Sequence, residues 1–198
     1  MISTKKPQDD NPVMLFETQK DWADWLEENA LASPGVWLRF AKMASSELKS
    51  VSYAQALEVA LCHGWIDGQK KSLDESSWLQ KFTPRSAKSI WSKINREKAE
   101  ALISSGRMKP SGLQAVERAQ QDGRWEAAYD SQRESSVPAD LQAGLDGNPQ
   151  AKAFFATLNS HNRYAILFRI QTAKKAETRA RRIEQFIAML ERNEKLHP

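Results

Sequence analysis

The hydrophobic period of this chain changes once and does not change back. Up to about Asp122, apolar residues recur sometimes at strand spacing and sometimes at helix spacing, whereas everything after Pro138 repeats at helix spacing alone. That switch restricts the fold class to α+β, with N-terminal helices packed on a small antiparallel sheet of about three strands and an all-α helical subdomain following. The boundaries read from it are a loose tail over 1–12, an α+β subdomain over 13–129, a linker over 130–137 (DSQRESSV), a helical subdomain over 138–192 and a short tail over 193–198. At 198 residues the chain is long enough for one large domain or two small ones.

Local signals place the elements. Val13–Phe16 suits a short edge strand. Thr18 with Asp21, and Ser52 with Gln55, have the spacing of capping boxes, in which a side-chain hydroxyl and the residue three further on satisfy each other's backbone N–H groups. The first helix would bury Trp22, Trp25, Leu26 and Ala30; the second would bury Leu57, Ala60 and Leu61 and stop at Gly64. Between them Val36-Trp37-Leu38-Arg39-Phe40 alternates, with Val36, Leu38 and Phe40 inward. From Trp65 two short extended runs flank Leu73–Ser76, which predicts a hairpin. Asn95 is the expected cap of a helix with Ile94 stapled to Ala99 and with Leu102 and Ile103 on its core side. Gly106 ends it, and Pro110 starts another that closes at Asp122-Gly123. Four helices follow, over about 138–145, 149–158, 160–172 and up to 191, the last with an apolar stripe of Ala173, Ala176, Ala180, Ile183, Phe186, Ile187 and Leu190.

Composition narrows the function classes only a little. The balance of 29 Lys and Arg against 25 Asp and Glu leaves +4, a weak whole-molecule argument for nucleic acid or membrane binding. A single cysteine, Cys62, excludes an intramolecular disulfide, and no segment has the apolar run of a secretory signal or a membrane span; the expected compartment is cytoplasmic.

The chemistry concentrates between Leu61 and Asn95. There Trp65, Trp78 and Trp91 stand among Asp67, Lys70, Lys71, Lys81, Arg85, Lys93 and Asn95. Aromatic walls with scattered cations are what a shallow pocket for an anion requires, so Trp65, Asp67, Lys70, Lys81, Arg85, Trp91, Lys93 and Asn95 are the candidate ligand-binding residues, with Trp65, Asp67, Arg85 and Trp91 expected to meet across a concave surface. The competing reading has the tryptophans in the core and the charges in water. A second cluster, Arg163, Arg169, Lys174, Lys175, Arg179, Arg181 and Arg182 against the single acid Glu177, suggests a basic face on the last helices, carried chiefly by Arg163, Lys174, Lys175, Arg179, Arg181 and Arg182. Cys62 and His63 are neighbours on a helix and point about 100° apart, so they do not form a nucleophilic dyad. A histidine-rich metal site would need His63, His161 and His197, which are far apart in sequence; no metal and no cofactor is expected. Phosphate loops, nucleophile elbows and zinc-protease helices are missing from the sequence.

The ordered motifs ALEVALCHGWIDGQKKSLD, FTPRSAKSIWSKIN, GRMKPSGL, DGRWEAAY and RYAILFRIQTAKKAETRARRIE, running from about Trp22 to about Leu190, resemble bacterial proteins of the YdeI/OmpD-associated family, also called the bacteriocin-protection family. The resemblance implies a soluble bacterial protein whose family name records links with bacteriocin tolerance and an outer-membrane porin, and it brings no catalytic residues.

Three functions are compatible with these residues. The first is a non-catalytic binding or stress-tolerance factor that takes a small anionic ligand or an acidic protein partner. The second is a nucleic-acid binder using the basic segments 81–98 and 163–182. The third is an enzyme with Asp67 as base and Arg85, Lys93 or Asn95 stabilising an anionic intermediate. The oligomeric state is left open.

Overall fold

The computed structural model describes residues 10–42 and 48–198, so most of the expected N-terminal tail lies outside the described residues. In chain order the elements are β1 (Val13–Met14), α1 (Gln19–Asn29), β2 (Val36–Ala41), α2 (Tyr53–Cys62), β3 (Trp65–Ser72), β4 (Ser77–Pro84), α3 (Lys93–Ser104), α4 (Pro110–Gln121), α5 (Ala139–Asp146), α6 (Pro149–Thr157), α7 (Ser160–Gln171) and α8 (Ala176–Glu191). They divide into two compact units: residues up to Ile90 together with Asn95–Glu126, and Trp91–Ile94 together with Ala127–Pro198.

Both capping boxes form. Thr18 Oγ1 accepts from the Asp21 N–H while Asp21 Oδ2 accepts from the Thr18 N–H, and Ser52 and Gln55 repeat the arrangement at the start of α2. The end of α2 is fixed by Gly64, whose φ of 72° is the left-handed conformation that costs glycine nothing. A Cβ there would stand 2.7 Å from the Ser111 carbonyl oxygen, which shows how closely α4 begins against the end of α2.

The sheet departs from the expectation of about three antiparallel strands. It has four strands in the order β1-β2-β4-β3, and β1 runs parallel to β2 with Val13 opposite Trp37. A parallel pair joined through α1 is invisible to local sequence signals, because hairpin turns announce only antiparallel neighbours. The β3–β4 hairpin closes as expected, with Asp74 taking hydrogen bonds from the Ser76 N–H and the Ser76 and Ser77 hydroxyls. Its register shifts between Asp67 and Lys70, where β3 carries one more residue than β4: Asp67 faces Phe82, and Lys70 faces Gln80. Side chains alternate along a strand, so without this bulge Asp67 and Lys70 would point to opposite faces. With it they share one.

That shared face also carries Val36, Leu38, Phe40, Trp78 and Phe82, and α1 covers it at one end. Trp22 lies 5.7 Å from Phe82 and 6.3 Å from Trp65 between ring centres, and stacks on Trp25 at 5.4 Å. The indole N–H groups of Trp22 and Trp65 donate to the Ala56 and Ala30 carbonyls, so the polar end of each buried ring is satisfied. The strand β2 is buried on both sides: Trp37, on the other face, is covered by the ammonium groups of Lys71 and Lys81 at 4.1 and 5.9 Å from its ring centre.

The start of α3 differs from the expected cap at Asn95. Ser92 pairs with Tyr129 in a parallel bridge and the Lys93 N–H donates to the Tyr129 carbonyl, so a contact distant in sequence starts the helix three residues early. Ile94 and Ile103 are consequently exposed while Ala99 and Leu102 are buried.

In the second unit α5 to α8 enclose a mainly aliphatic core of Leu141, Leu145, Ala151, Phe155, Leu158, Ile166, Leu167, Ile170, Ile183, Phe186 and Leu190. The expected stripe on α8 is shorter than its sequence: Ile183, Phe186 and Leu190 are buried, but Ala176 and Ala180 are exposed, because the helix starts only at Ala176 and its first turn stands away from the core. Residues 130–137 lie inside this unit and are fastened to α7: Tyr164 donates to the Asp130 carbonyl, and the Asp130 carboxylate takes hydrogen bonds from Gln171 and Lys93. Residues 193–198 also fold back, with Leu196 against the core and His197 on Asn162.

Candidate functional site

A site can only be built from groups that the core does not use, and the eight sequence candidates separate on that criterion. Trp65 is 1% exposed and Trp91 2%; both are interior rings. Arg85 is also buried, its backbone N–H on the Gly64 carbonyl and its guanidinium donating to the Ile90 carbonyl at 3.3 Å. The expected concave meeting of Trp65, Asp67, Arg85 and Trp91 is therefore replaced by interior packing for three of the four. Lys81 projects to the opposite sheet face, over Trp37. Lys93 pairs with Asp130 at 2.5 Å, and Asn95 sits in the first turn of α3.

Asp67 and Lys70 remain, and the bulge turns both toward α2. The Tyr53 hydroxyl, at the first position of α2, donates to Asp67 Oδ2 at 2.7 Å. Lys70 Nζ stands 4.3 Å from the ring centre of Trp78, whose ring stacks on Phe40 with centres 4.8 Å apart and planes 23° apart. Tyr53 completes the group, 6.0 Å from Trp78 and 6.2 Å from Phe40. These three rings form one wall of a cavity of about 610 Å³ whose remaining lining comes from Glu17, Ala41 and the 48–52 segment, including Lys49 and Ser50. The volume is of the size that small-molecule sites occupy. The cavity offers the part-exposed rings of Tyr53 and Trp78, the Glu17 carboxylate and the Lys49 ammonium group, while Asp67 and Lys70 hold Tyr53 and Trp78 from behind its wall.

Sequence reasoning does not single out Phe40 or Tyr53 for this site. Phe40 reads as an ordinary inward strand position. Tyr53 carried a faint signal, being an aromatic residue directly after the Ser52 cap, a helix position that ordinarily faces water.

A second cavity, about 640 Å³, is lined by residues from α1, the end of α2 and the loop before α4, among them Cys62, His63, Arg107, Met108 and Lys109. Burial pushes the Cys62 thiol above its ordinary pKa, so the thiolate that nucleophilic chemistry needs is disfavoured. Burial likewise lowers His63, against the opposing pull of Glu27, whose carboxylate lies 3.7 Å from Nε2.

The basic face of the second unit is partly spent on structure. The Arg163 guanidinium lies over Phe155 at 4.8 Å. Arg179 makes two hydrogen bonds to the Asp140 carboxylate, at 2.5 and 2.8 Å, and a third to the Ile170 carbonyl. Arg182 donates to the Arg169 carbonyl. Lys174, Lys175 and Arg181 are exposed.

Among the described residues no group of three or more His, Cys, Asp or Glu side chains is placed to hold a metal ion, and no helix is long and apolar enough to cross a membrane.

Two family models match the chain. Residues 14–115, which include every element of the sheet and the aromatic cavity, match a domain of unknown function (DUF8412). Residues 134–193, which include α5 to α8, match the family described as Bacteriocin-protection, YdeI or OmpD-Associated. No curated protein and no solved structure matches. The resemblance read over Trp22 to Leu190 thus holds for the helical part, whereas the sheet part matches a different model. Since the first match takes in just over half of the chain, the protein belongs to the DUF8412 family and carries a bacteriocin-protection, YdeI or OmpD-associated domain at residues 134–193.

Proposed function

We propose that this protein is a non-catalytic binding factor of the bacteriocin-tolerance kind, acting in the cytoplasm, and that its sheet unit takes a small anion with a planar apolar body in the cavity walled by Phe40, Tyr53 and Trp78. One observation carries the reading: Tyr53 and Trp78 line a ligand-sized cavity together with Lys49, whose ammonium group can meet a negative group while the rings take the apolar part, and Lys70 Nζ backs the Trp78 ring at 4.3 Å from its centre. Tyr53 ties down Asp67, which keeps that acid directed and supports the aromatic wall. The C-terminal match supplies the link to bacteriocin protection. The test is native mass spectrometry of the purified chain for a co-purified small anion, followed by titration of that compound against the intrinsic tryptophan fluorescence. The expected result is one compound per chain, with affinity lowered at least about tenfold by Trp78→Ala and by Lys49→Gln. A bound compound whose affinity neither substitution changes would remove the site.

A second reading rests on the exposed Lys174, Lys175 and Arg181 around the start of α8, which suit a nucleic-acid backbone. It requires affinity for random DNA or RNA that falls steeply with salt, as counterions are released. Binding indifferent to Lys174→Gln and Lys175→Gln ends it.

A further inference from the structure

His161 and His197 are 36 positions apart in the sequence, yet their imidazole rings meet with centres 4.6 Å apart and planes tilted by 42°. The meeting is built by the residue next to His161. Asn162 is 1% exposed, and both ends of its side-chain amide engage the backbone of His197: Nδ2 donates to the His197 carbonyl at 3.2 Å, and Oδ1 accepts from the His197 N–H at 2.9 Å. Asn159, the cap of α7, takes a further hydrogen bond from Asn162 Nδ2, so the amide that grips His197 is itself held by the start of the helix. Leu196 packs on the aliphatic core beside it. A chain segment that would otherwise fray is therefore fixed on both sides of one imidazole, and the other imidazole stands on the first turn of a helix. Ligand positions fixed before the ion arrives lose little entropy on binding it.

The ring separation has a chemical reading. With nitrogen–metal distances of about 2.0–2.1 Å and about 1.2 Å from nitrogen to ring centre, two imidazoles on one ion at 90–110° have centres about 4.5–5.4 Å apart. The observed 4.6 Å falls in that window. We propose that His161 and His197 form a binding site for a borderline divalent transition-metal ion of the zinc type, whose remaining positions are filled by water. Neutral imidazole suits zinc, copper and nickel, and two nitrogen donors give no advantage to the hard oxygen-seeking ions calcium and magnesium. The site is separate from the aromatic cavity, which lies in the other unit, and it stands whether or not that cavity binds an anion.

Calorimetric titration of the full chain with zinc chloride, at a pH where imidazole is neutral, tests the proposal. The expected result is one zinc ion per chain, displaced by nickel but not by magnesium, with zinc-induced shifts in the ring C–H resonances of His161 and His197 and none in those of His63. His161→Ala and His197→Ala should each lower the affinity about tenfold or more. Both positions lie outside the core, so circular dichroism should show an unchanged fold. Cys62→Ala should leave the titration as it was. Absence of saturable binding, binding that survives both histidine substitutions, or binding that disappears with Cys62→Ala overturns the proposal.

Discussion

The two units solve the problem of a stable interior with different materials. The sheet unit is built on rings: Trp22, Trp25, Trp65, Phe40 and Phe82 lie within 7 Å of one another in a chain of tilted and edge contacts, and two indoles are pinned by hydrogen bonds to helix carbonyls. The helical unit is built mainly on aliphatic side chains from four helices, with Phe155 and Phe186 among them and its polar bonds at the periphery. In the sheet unit a wall of Phe40, Tyr53 and Trp78 borders a cavity. In the helical unit the paired histidines stand outside the core.

Four measurements sharpen or break this contrast. The largest effect belongs to Trp22→Ala, which removes a fully buried ring together with its hydrogen bond to Ala56 and should cost about 3–5 kcal/mol. Amide exchange should then accelerate through β2, β4 and α2 while the α7 amides keep their protection; equal acceleration in both units would show one shared core. Next comes Gly112→Ala in α4. Replacing a helical glycine by alanine ordinarily stabilises, but here the new Cβ would meet the Cys62 carbonyl oxygen at 2.3 Å and Met108 Sδ at 2.5 Å, and the forced shift should cost about 1–3 kcal/mol. Gly144→Ala in α5 is its counterpart. There the nearest atoms are side-chain carbons and not backbone, Ile187 Cγ1 at 3.3 Å and Ile183 Cγ2 and Ile187 Cδ1 at 3.4 Å, which need to shift by only a few tenths of an ångström, so the change should lie within about 1 kcal/mol of neutral. Thermal melts of the two variants that moved equally would refute the distinction between a backbone wall and a yielding one.

The smallest effect concerns two turn carboxylates. Asp74, in the β3–β4 hairpin, is lowered to about 2, first by the Ser77 hydroxyl and then by Ser76 donors. Its folded pKa lies below the ordinary 3.8, so its contribution to stability is complete above about pH 4 and is lost as pH falls through about 2. Asp146, in the helical unit, is lowered first by its hydrogen bond from Lys152. Carbon-13 titration in 1 M salt should raise Asp146 more than Asp74, since screening weakens the ion pair each makes, with Lys152 and with Arg39, but leaves the serine donors that also hold Asp74.

Part of this structure is written locally. The capping boxes at Thr18 and Ser52, the left-handed Gly64, the hairpin turn at Asp74 and the four C-terminal helices each follow from a few adjacent residues, because helix ends and tight turns are satisfied by side chains close in sequence. The candidate site was legible only in outline. A stretch rich in tryptophan and charge contains Trp78, which reaches the cavity wall, while Trp65 and Trp91 are interior rings. Trp65 and Trp78 point to the same sheet face; Trp65 meets Trp22 and Trp25 of α1, whereas Trp78 meets Tyr53 at the first position of α2.

The amino-acid sequence alone determines the α+β class, the change to pure helix after Pro138 and the resemblance to the bacteriocin-protection family. It does not determine that β1 would join the sheet in parallel, that a bulge would bring Asp67 and Lys70 to one face, or that His161 would meet His197. Those outcomes depend on contacts between segments tens of residues apart, whose free energies exist only once the chain has closed the loops between them, and no short run of residues records them.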